Sequence, residues 1–286
     1  MEVFNDLKQW KARRGAFTGS LGLVPTMGFL HEGHLSLVRR AREENDAVVA
    51  WIFVNPAQFA PEEDFETYPR DMDKDLGLLR ELKTEFVLAP SVEDIYPPGF
   101  QTYINVEDLS RPLEGGTRPD HFRGVATVVA KMIGLTRPHR AYFGQKDGQQ
   151  CAVVKTMVRD LSIPTEIVVC PTVREEDGLA LSSRNVRLKP DQRRAAPVLH
   201  RALQAAEELI RAGEEDAEAV RRRMREVLAR EPLAEVDYVS VARAGSLEEC
   251  SGAIATPVLL SLAVRFGAVR LIDNIPVAPP RGHARS

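Results

Sequence analysis

The first two thirds of the chain alternate short apolar runs with longer amphipathic ones. Leu21 to Pro25, Ala47 to Val54, Glu85 to Ala89, Ala141 to Phe143 and Thr165 to Val169 predict strands, several of them apolar on both faces as in a covered parallel sheet. Leu35 to Asn45, Asp71 to Leu82, Phe122 to Leu135 and Gln149 to Leu161 lie between or after them and repeat apolar residues at helical spacing. This order predicts an α/β fold with a doubly wound, parallel, Rossmann-like sheet, whose ligands sit at the carboxyl ends of the strands.

The pattern changes after about residue 175. Pro190 to Ala212 places Val198, Leu199, Ala202, Leu203, Ala206 and Ile210 on one stripe of a single predicted helix. Ala217 to Arg230 repeats this with Val220, Met224, Val227 and Leu228. Val236 to Ala242, Pro257 to Phe266 and Val269 to Ile275 then predict strands. The expected organisation is a sheet domain over 1–175 and a smaller C-terminal α+β domain over 176–286, joined near Arg174 to Asn185, with a frayed tail from Pro279 to Ser286.

Composition narrows the class. A chain of 286 residues with 44% hydrophobic and 28% charged positions is long enough for about two folded domains and is neither disordered nor fibrous. The 38 basic and 41 acidic residues leave a net charge of -3, so no overall field would hold a nucleic acid or an anionic membrane, and any anion site must be local. Cys151, Cys170 and Cys250 show no C-x-x-C spacing, which fits a reducing compartment better than a disulfide framework or zinc knuckle. Met1 to Trp10 lacks the basic and apolar blocks of a secretory leader, and no stretch reaches the roughly 18 apolar residues of a membrane helix. A cytoplasmic location is expected.

The segment Pro25-Thr26-Met27-Gly28-Phe29-Leu30-His31-Glu32-Gly33-His34 leaves the first predicted strand, turns through two glycines and enters the helix near Leu35. A helix N-terminus offers unpaired N–H groups and partial positive charge, and glycine lets a phosphate approach the backbone. His31 and His34, three apart, face the same way and add imidazole donors. Two surface histidines on a turn, or a zinc pair, are the competing readings; the spacing is not H-E-x-x-H and no third ligand lies nearby. Neither G-x-G-x-x-G nor G-x-x-x-x-G-K-[ST] occurs, so a phosphate site rests on the histidine loop.

This H-x-G-H signature resembles that of the nucleotidyltransferase superfamily shared with class I aminoacyl-tRNA synthetases. The segments PTMGFLHEGHLSLV, FVNPAQFAPEEDFETYPRD, HFRGVATVVAKM, AYFGQKDGQQ and REEDGLALSSRN, with the closing RLIDN, resemble the pantoate–β-alanine ligase family along nearly the whole chain. That resemblance implies condensation of (R)-pantoate with β-alanine, driven by ATP through a pantoyl adenylate, releasing pyrophosphate and then AMP. It implies ATP contacts from Met27, Gly28, His31, Gly33, His34, Gly144, Lys146, Asp147, Val173, Leu181, Ser182, Ser183 and Arg184. Among these, His31, His34, Lys146 and Arg184 are the expected catalytic groups, with His34 the proton donor. Gln58 and Gln150 are expected to bind pantoate and Gln58 also β-alanine; an amide serves both a carboxylate and a hydroxyl without adding charge.

Arg123 is a further basic candidate. The chain departs from the family pattern at Gln145, where Glu is usual, at Gly148, where Tyr is frequent, and at Asp120, where Gly is usual. The resemblance also implies Mg2+ carried on the phosphates rather than in a protein cage, a homodimer, a C-terminal domain acting as a lid, and no nucleic-acid or membrane partner. A nucleotidyltransferase that leaves the nucleotide on its product, an RNA-binding synthetase relative and a non-catalytic nucleotide binder are the alternatives.

Overall fold

A computed structural model describes residues 1–59, 65–66 and 68–279. Residues 60–64 and 67 of the FVNPAQFAPEEDFETYPRD segment, and all of the expected frayed tail after Pro279, lie outside the described residues. Contacts divide the chain into two compact units, one made of Met1–Gln145 with Gln149–Val173 and the other of Lys146–Gly148 with the chain from Arg174 on. No helix among the described residues is long and apolar enough to cross a membrane.

In the first unit the strands are β1 (Glu2–Phe4), β2 (Leu21–Thr26), β3 (Ala47–Ile52), β4 (Phe86–Leu88), β5 (Arg140–Gly144) and β6 (Glu166–Cys170). The helices that accompany them are α1 (Leu7–Ala16), α2 (Glu32–Glu44), α3 (Met72–Glu81), α4 (Val92–Ile95), α5 (Glu114–Thr117), α6 (His121–Thr136) and α7 (Gly148–Asp160). All described strand pairs of this sheet are parallel, in the order β1-β4-β3-β2-β5-β6, as the alternation of the sequence predicts. Every residue of β3 is buried, which is what a central strand covered on both faces requires. The order reverses between β2 and β5, so the carboxyl ends of these two strands flank the switch point.

The sequence reading missed β1 and α1. Three residues are too few for periodicity, and α1 (LKQWKARRGA) buries only Trp10. That tryptophan fixes the helix: its indole N–H donates to the Leu135 carbonyl at 2.9 Å, and its ring meets Phe4 and Phe86 edge-on. The histidine loop therefore follows the second strand of the chain, not the first.

The second unit pairs α8 (Pro190–Ala195), α9 (Val198–Arg211) and α10 (Ala217–Leu228) with an antiparallel sheet ordered β7 (Glu235–Arg243), β8 (Val258–Phe266), β9 (Val269–Val277). The single helix expected over Pro190 to Ala212 is two. Pro197 has no N–H to donate and its ring crowds the carbonyl four residues back, so α8 stops and α9 starts afresh. The stripe expected on α9 is buried throughout, and with Val220, Met224 and Leu228 of α10 and Leu260, Leu262 and Val264 of β8 it forms this unit's core. Cys151, Cys170 and Cys250 are all buried.

Candidate active site

The segment after β2 folds around one buried carboxylate. Gly28 and Phe29 both take left-handed backbone angles, φ +79° and +52°, a reversal that Gly accepts without strain and Phe does not. Asp75, in the first turn of α3 and 1% exposed, holds the reversal in place: the Phe29 and Leu30 N–H groups donate to its two oxygens, each at 2.7 Å. Burial still raises its pKa above the ordinary carboxylate value, outweighing those two bonds. Sequence reasoning missed Asp75 because its partners lie more than forty residues upstream and no short-range spacing signals the pairing.

The histidines themselves cap the helix. α2 starts at Glu32, three residues earlier than the apolar periodicity indicates, because imidazoles satisfy its first N–H groups where the sequence offers a glycine. His31 Nδ1 accepts from the Gly33 N–H at 3.2 Å, and His34 Nδ1 accepts from the His31 N–H at 3.4 Å, an imidazole version of the capping box. The rings lie 4.1 Å apart between centroids. A nitrogen that accepts carries no proton, so in the neutral rings the hydrogen is on Nε2, and each imidazole is an Nε2–H donor at the N-terminus of a thirteen-residue helix.

Beyond β3, Asn55 caps the 3-10 turn Pro56–Gln58 and is 1% exposed. Its Oδ1 accepts from the Ala57 N–H at 3.3 Å and from the Tyr96 hydroxyl at 2.7 Å; its Nδ2 donates to Gln58 Oε1 at 3.1 Å and to the Gly124 carbonyl at 3.2 Å. Burial pushes the Tyr96 pKa up to about 12, so it remains a neutral donor. Gln58 Nε2 lies 2.9 Å from Met27 Sδ, which brings the predicted pantoate amide onto the strand end that carries the histidine loop. Gly124 packs directly on this turn: a Cβ there would lie 2.1 Å from the Ala57 carbonyl oxygen. Arg123 instead stacks on Tyr103, 3.9 Å from the ring centroid. Asp120 has φ −91°, an ordinary right-handed value, so this position needs no glycine.

Gly144 ends β5, and its carbonyl accepts from Cys151 Sγ at 3.4 Å. Gln150 is half-buried on α7, next to Gln149, which no local pattern singles out. Gln149 is buried and structural: it donates to the Leu109 and Pro112 carbonyls at 2.9 and 2.7 Å and accepts from the Glu114 N–H at 3.0 Å. Val173 is half-buried at the end of the first unit.

In the second unit, Gln145–Asp147 forms a 3-10 turn with Gln145 on the first unit's side of the division, and Lys146 Nζ pairs with Asp147 at 3.2 Å. The segment from Arg174 folds back as a tight hairpin, bridged at Arg174 and Ala180, with Gly178 at φ +91°. Arg193 of α8 reaches two of its three acids, Asp177 and Glu175, at 2.6 Å, and draws the Asp177 pKa down. Leu181 follows, half-buried, and the Ser182 hydroxyl then accepts from the Arg184 N–H at 3.2 Å to cap the 3-10 turn Ser183–Arg187, with Ser183 buried.

His200 of α9 lies against this hairpin, and a Cβ on Gly178 would sit 2.5 Å from its ring. Burial first, and Arg174 second, push its pKa below the ordinary imidazole value. The unfolded chain then binds the extra proton, so His200 contributes stability that is complete above about pH 6.5 and is lost as the pH falls towards its lowered folded value. Chemical-denaturation midpoints of the wild type should drop over that interval, and His200→Gln should flatten the drop; an unchanged slope in the variant contradicts this account.

A family profile described as pantoate-beta-alanine ligase matches residues 1–276. The pantothenate synthetase of Roseiflexus castenholzii is 57% identical over 274 residues, covering 96% of this chain and 98% of that protein. The structure of pantothenate synthetase from Thermus thermophilus superposes with a TM-score of 0.93 at 48% identity, covering 98% of this chain and all of that one. The pantoate-beta-alanine ligase of Francisella tularensis, solved with beta-gamma ATP and beta-alanine, gives a TM-score of 0.79 at 34% identity, covering 96% and 97% of the two chains.

Proposed function

Since the chain belongs to the pantoate–β-alanine ligase family, we infer that it condenses (R)-pantoate with β-alanine at the expense of ATP, through a pantoyl adenylate, giving pantothenate, AMP and pyrophosphate. The observation that carries the chemistry is the pair of capping imidazoles, whose Nε2–H groups add to the partial positive charge at the start of α2.

A carboxylate is a poor acyl donor because oxide is not a leaving group at neutral pH. The pantoate carboxylate oxygen attacks the α-phosphorus of ATP, the bond to the bridging oxygen breaks, and pyrophosphate leaves with the electron pair. Negative charge grows on the phosphate oxygens, and donors already aimed at it lower the barrier without reorganising. His31 and His34 fill this role, with main-chain contacts from Met27, Gly28 and Gly33 and from the strand end at Gly144. Lys146 supplies a compact positive charge, Asp147 accepts from the ribose, and Ser182, Ser183 and the Arg184 guanidinium hold the leaving triphosphate end; Leu181 and Val173 contribute main-chain contacts, Val173 to adenine. Gln58 and Gln150 orient pantoate, and Gln58 also β-alanine. In the second half-reaction the neutral amine of β-alanine attacks the mixed anhydride, AMP leaves, and the amine's proton is lost.

Among the described residues no cluster of three His, Cys, Asp or Glu side chains is placed to hold a metal ion. The substrate enters as MgATP, with magnesium on phosphate oxygens and water. A cytoplasmic homodimer completes the reading, and sedimentation tests the dimer. The deciding measurement supplies ATP, pantoate and β-alanine singly and together. AMP and pyrophosphate are expected only when pantoate is present, and pantothenate only when all three are; ADP with orthophosphate would overturn the assignment.

A further inference from the structure

The closing motif Arg270-Leu271-Ile272-Asp273-Asn274 has no role in the reaction just described, yet Asp273 and Asn274 are 3% and 5% exposed on β9, an edge strand where neighbouring polar residues are usually wet. Consecutive strand residues point to opposite faces. Asp273 therefore shares its face with Leu271, and it takes the Arg174 guanidinium in a bidentate pair at 2.6 and 3.0 Å. The same arginine donates to the Gly178 carbonyl at 3.1 Å, closing the hairpin that leads to Ser182, Ser183 and Arg184. On the other face, the Asn274 Nδ2–H donates to the main-chain carbonyl of Lys146 at 2.7 Å. The Ser183–Arg187 turn also contacts β9.

A single dipeptide thus holds two segments far apart in sequence, and both carry cationic groups assigned above to the phosphates. We propose that Asp273 and Asn274 are positioning residues for adenylate formation: Asn274 fixes the backbone from which the Lys146 ammonium projects, and Asp273 fixes the root of the Ser182–Arg184 turn. Neither touches substrate. The inference rests on the phosphate role proposed for Lys146, so its test must separate the two.

The test is a double-mutant cycle on Lys146→Ala and Asn274→Ala, read as the single-turnover rate of pantoyl adenylate formation, with thermal melting of every variant. Lys146→Ala keeps the carbonyl that Asn274 grips and removes only the ammonium. Asn274→Ala should slow adenylate formation by about tenfold or more, since displacing a catalytic group by about 1 Å costs up to about a hundredfold. The pantoate KM should stay within about twofold, and in the Lys146→Ala background the second substitution should change the rate by less than about twofold. Equal slowing in both backgrounds, or an Asn274→Ala rate matching the wild type, overturns the proposal while leaving the role of Lys146 intact. A Lys146→Ala rate equal to the wild type removes that role and the proposal with it. Should Asn274→Ala melt early, Asn274→Ser, whose hydroxyl is too short to reach the carbonyl, takes its place in the cycle.

Discussion

Replacing His34 by alanine is expected to slow pantoyl adenylate formation by about a hundredfold to a thousandfold, the loss typical when one preorganised donor to a developing oxyanion is removed, or about 3 to 4 kcal/mol of barrier. The substitution also deletes a helix cap, because His34 Nδ1 accepts the His31 N–H, and this costs stability by about 1 kcal/mol on its own. The two effects separate by atom. His34→Asn places an amide oxygen where Nδ1 accepts and nothing where Nε2 donates, so the melting temperature should recover while the rate stays low. His34→Gln reaches the Nε2 position with a neutral N–H, so part of the rate should return. A rate restored by Asn but not Gln would assign His34 to helix capping alone, and a full rate in the alanine variant would remove it from the reaction.

Gly124→Ala is expected to be the most damaging single-methyl change in the first unit's candidate site. The added Cβ would lie 2.1 Å from the Ala57 carbonyl oxygen, 2.4 Å from its carbon and 2.9 Å from the Gln58 nitrogen, all main-chain atoms that cannot rotate aside. Either α6 or the Pro56–Gln58 turn must move, and the bond from Asn55 to the Gly124 carbonyl moves with it. Overpacking of this severity destabilises by about 3 kcal/mol or more. With Gln58 displaced, the pantoate KM should rise about tenfold or more. Gly134, in the same helix, is the control: a Cβ there meets nothing within 4 Å, so Gly134→Ala should be neutral or stabilise by about 0.5 to 1 kcal/mol. Equal denaturation midpoints and equal pantoate KM for Gly124→Ala and the wild type would show that the turn does not set the substrate subsite.

Gly124 illustrates how the candidate site was and was not legible. The string HFRGVATVVAKM marked the segment, but its neighbouring arginine drew the chemical attention, and the structure puts Arg123 on Tyr103 while giving the glycine the contact with the turn beneath Gln58. Asp75 gave no local signal, and Asn274 was marked only as part of RLIDN; the partner of each is brought to it only by folding, across 45 and 128 positions.

Local pattern alone determined strands β2 to β6 of the parallel sheet and the helices α2, α3, α6 and α7, the amphipathic pair α9 and α10, the antiparallel strands that follow them, and the histidine loop, because hydrophobic period and motif spacing act within a few residues. Tertiary packing decided what has no such period. The edge strand β1 and the polar helix α1 persist because Phe4, Trp10 and Phe86 meet, and the loop after β2 keeps its left-handed turn because a buried carboxylate from α3 accepts its N–H groups. Buried polar groups must find partners wherever the fold brings them, so these choices are fixed by the assembled chain rather than by any stretch of it.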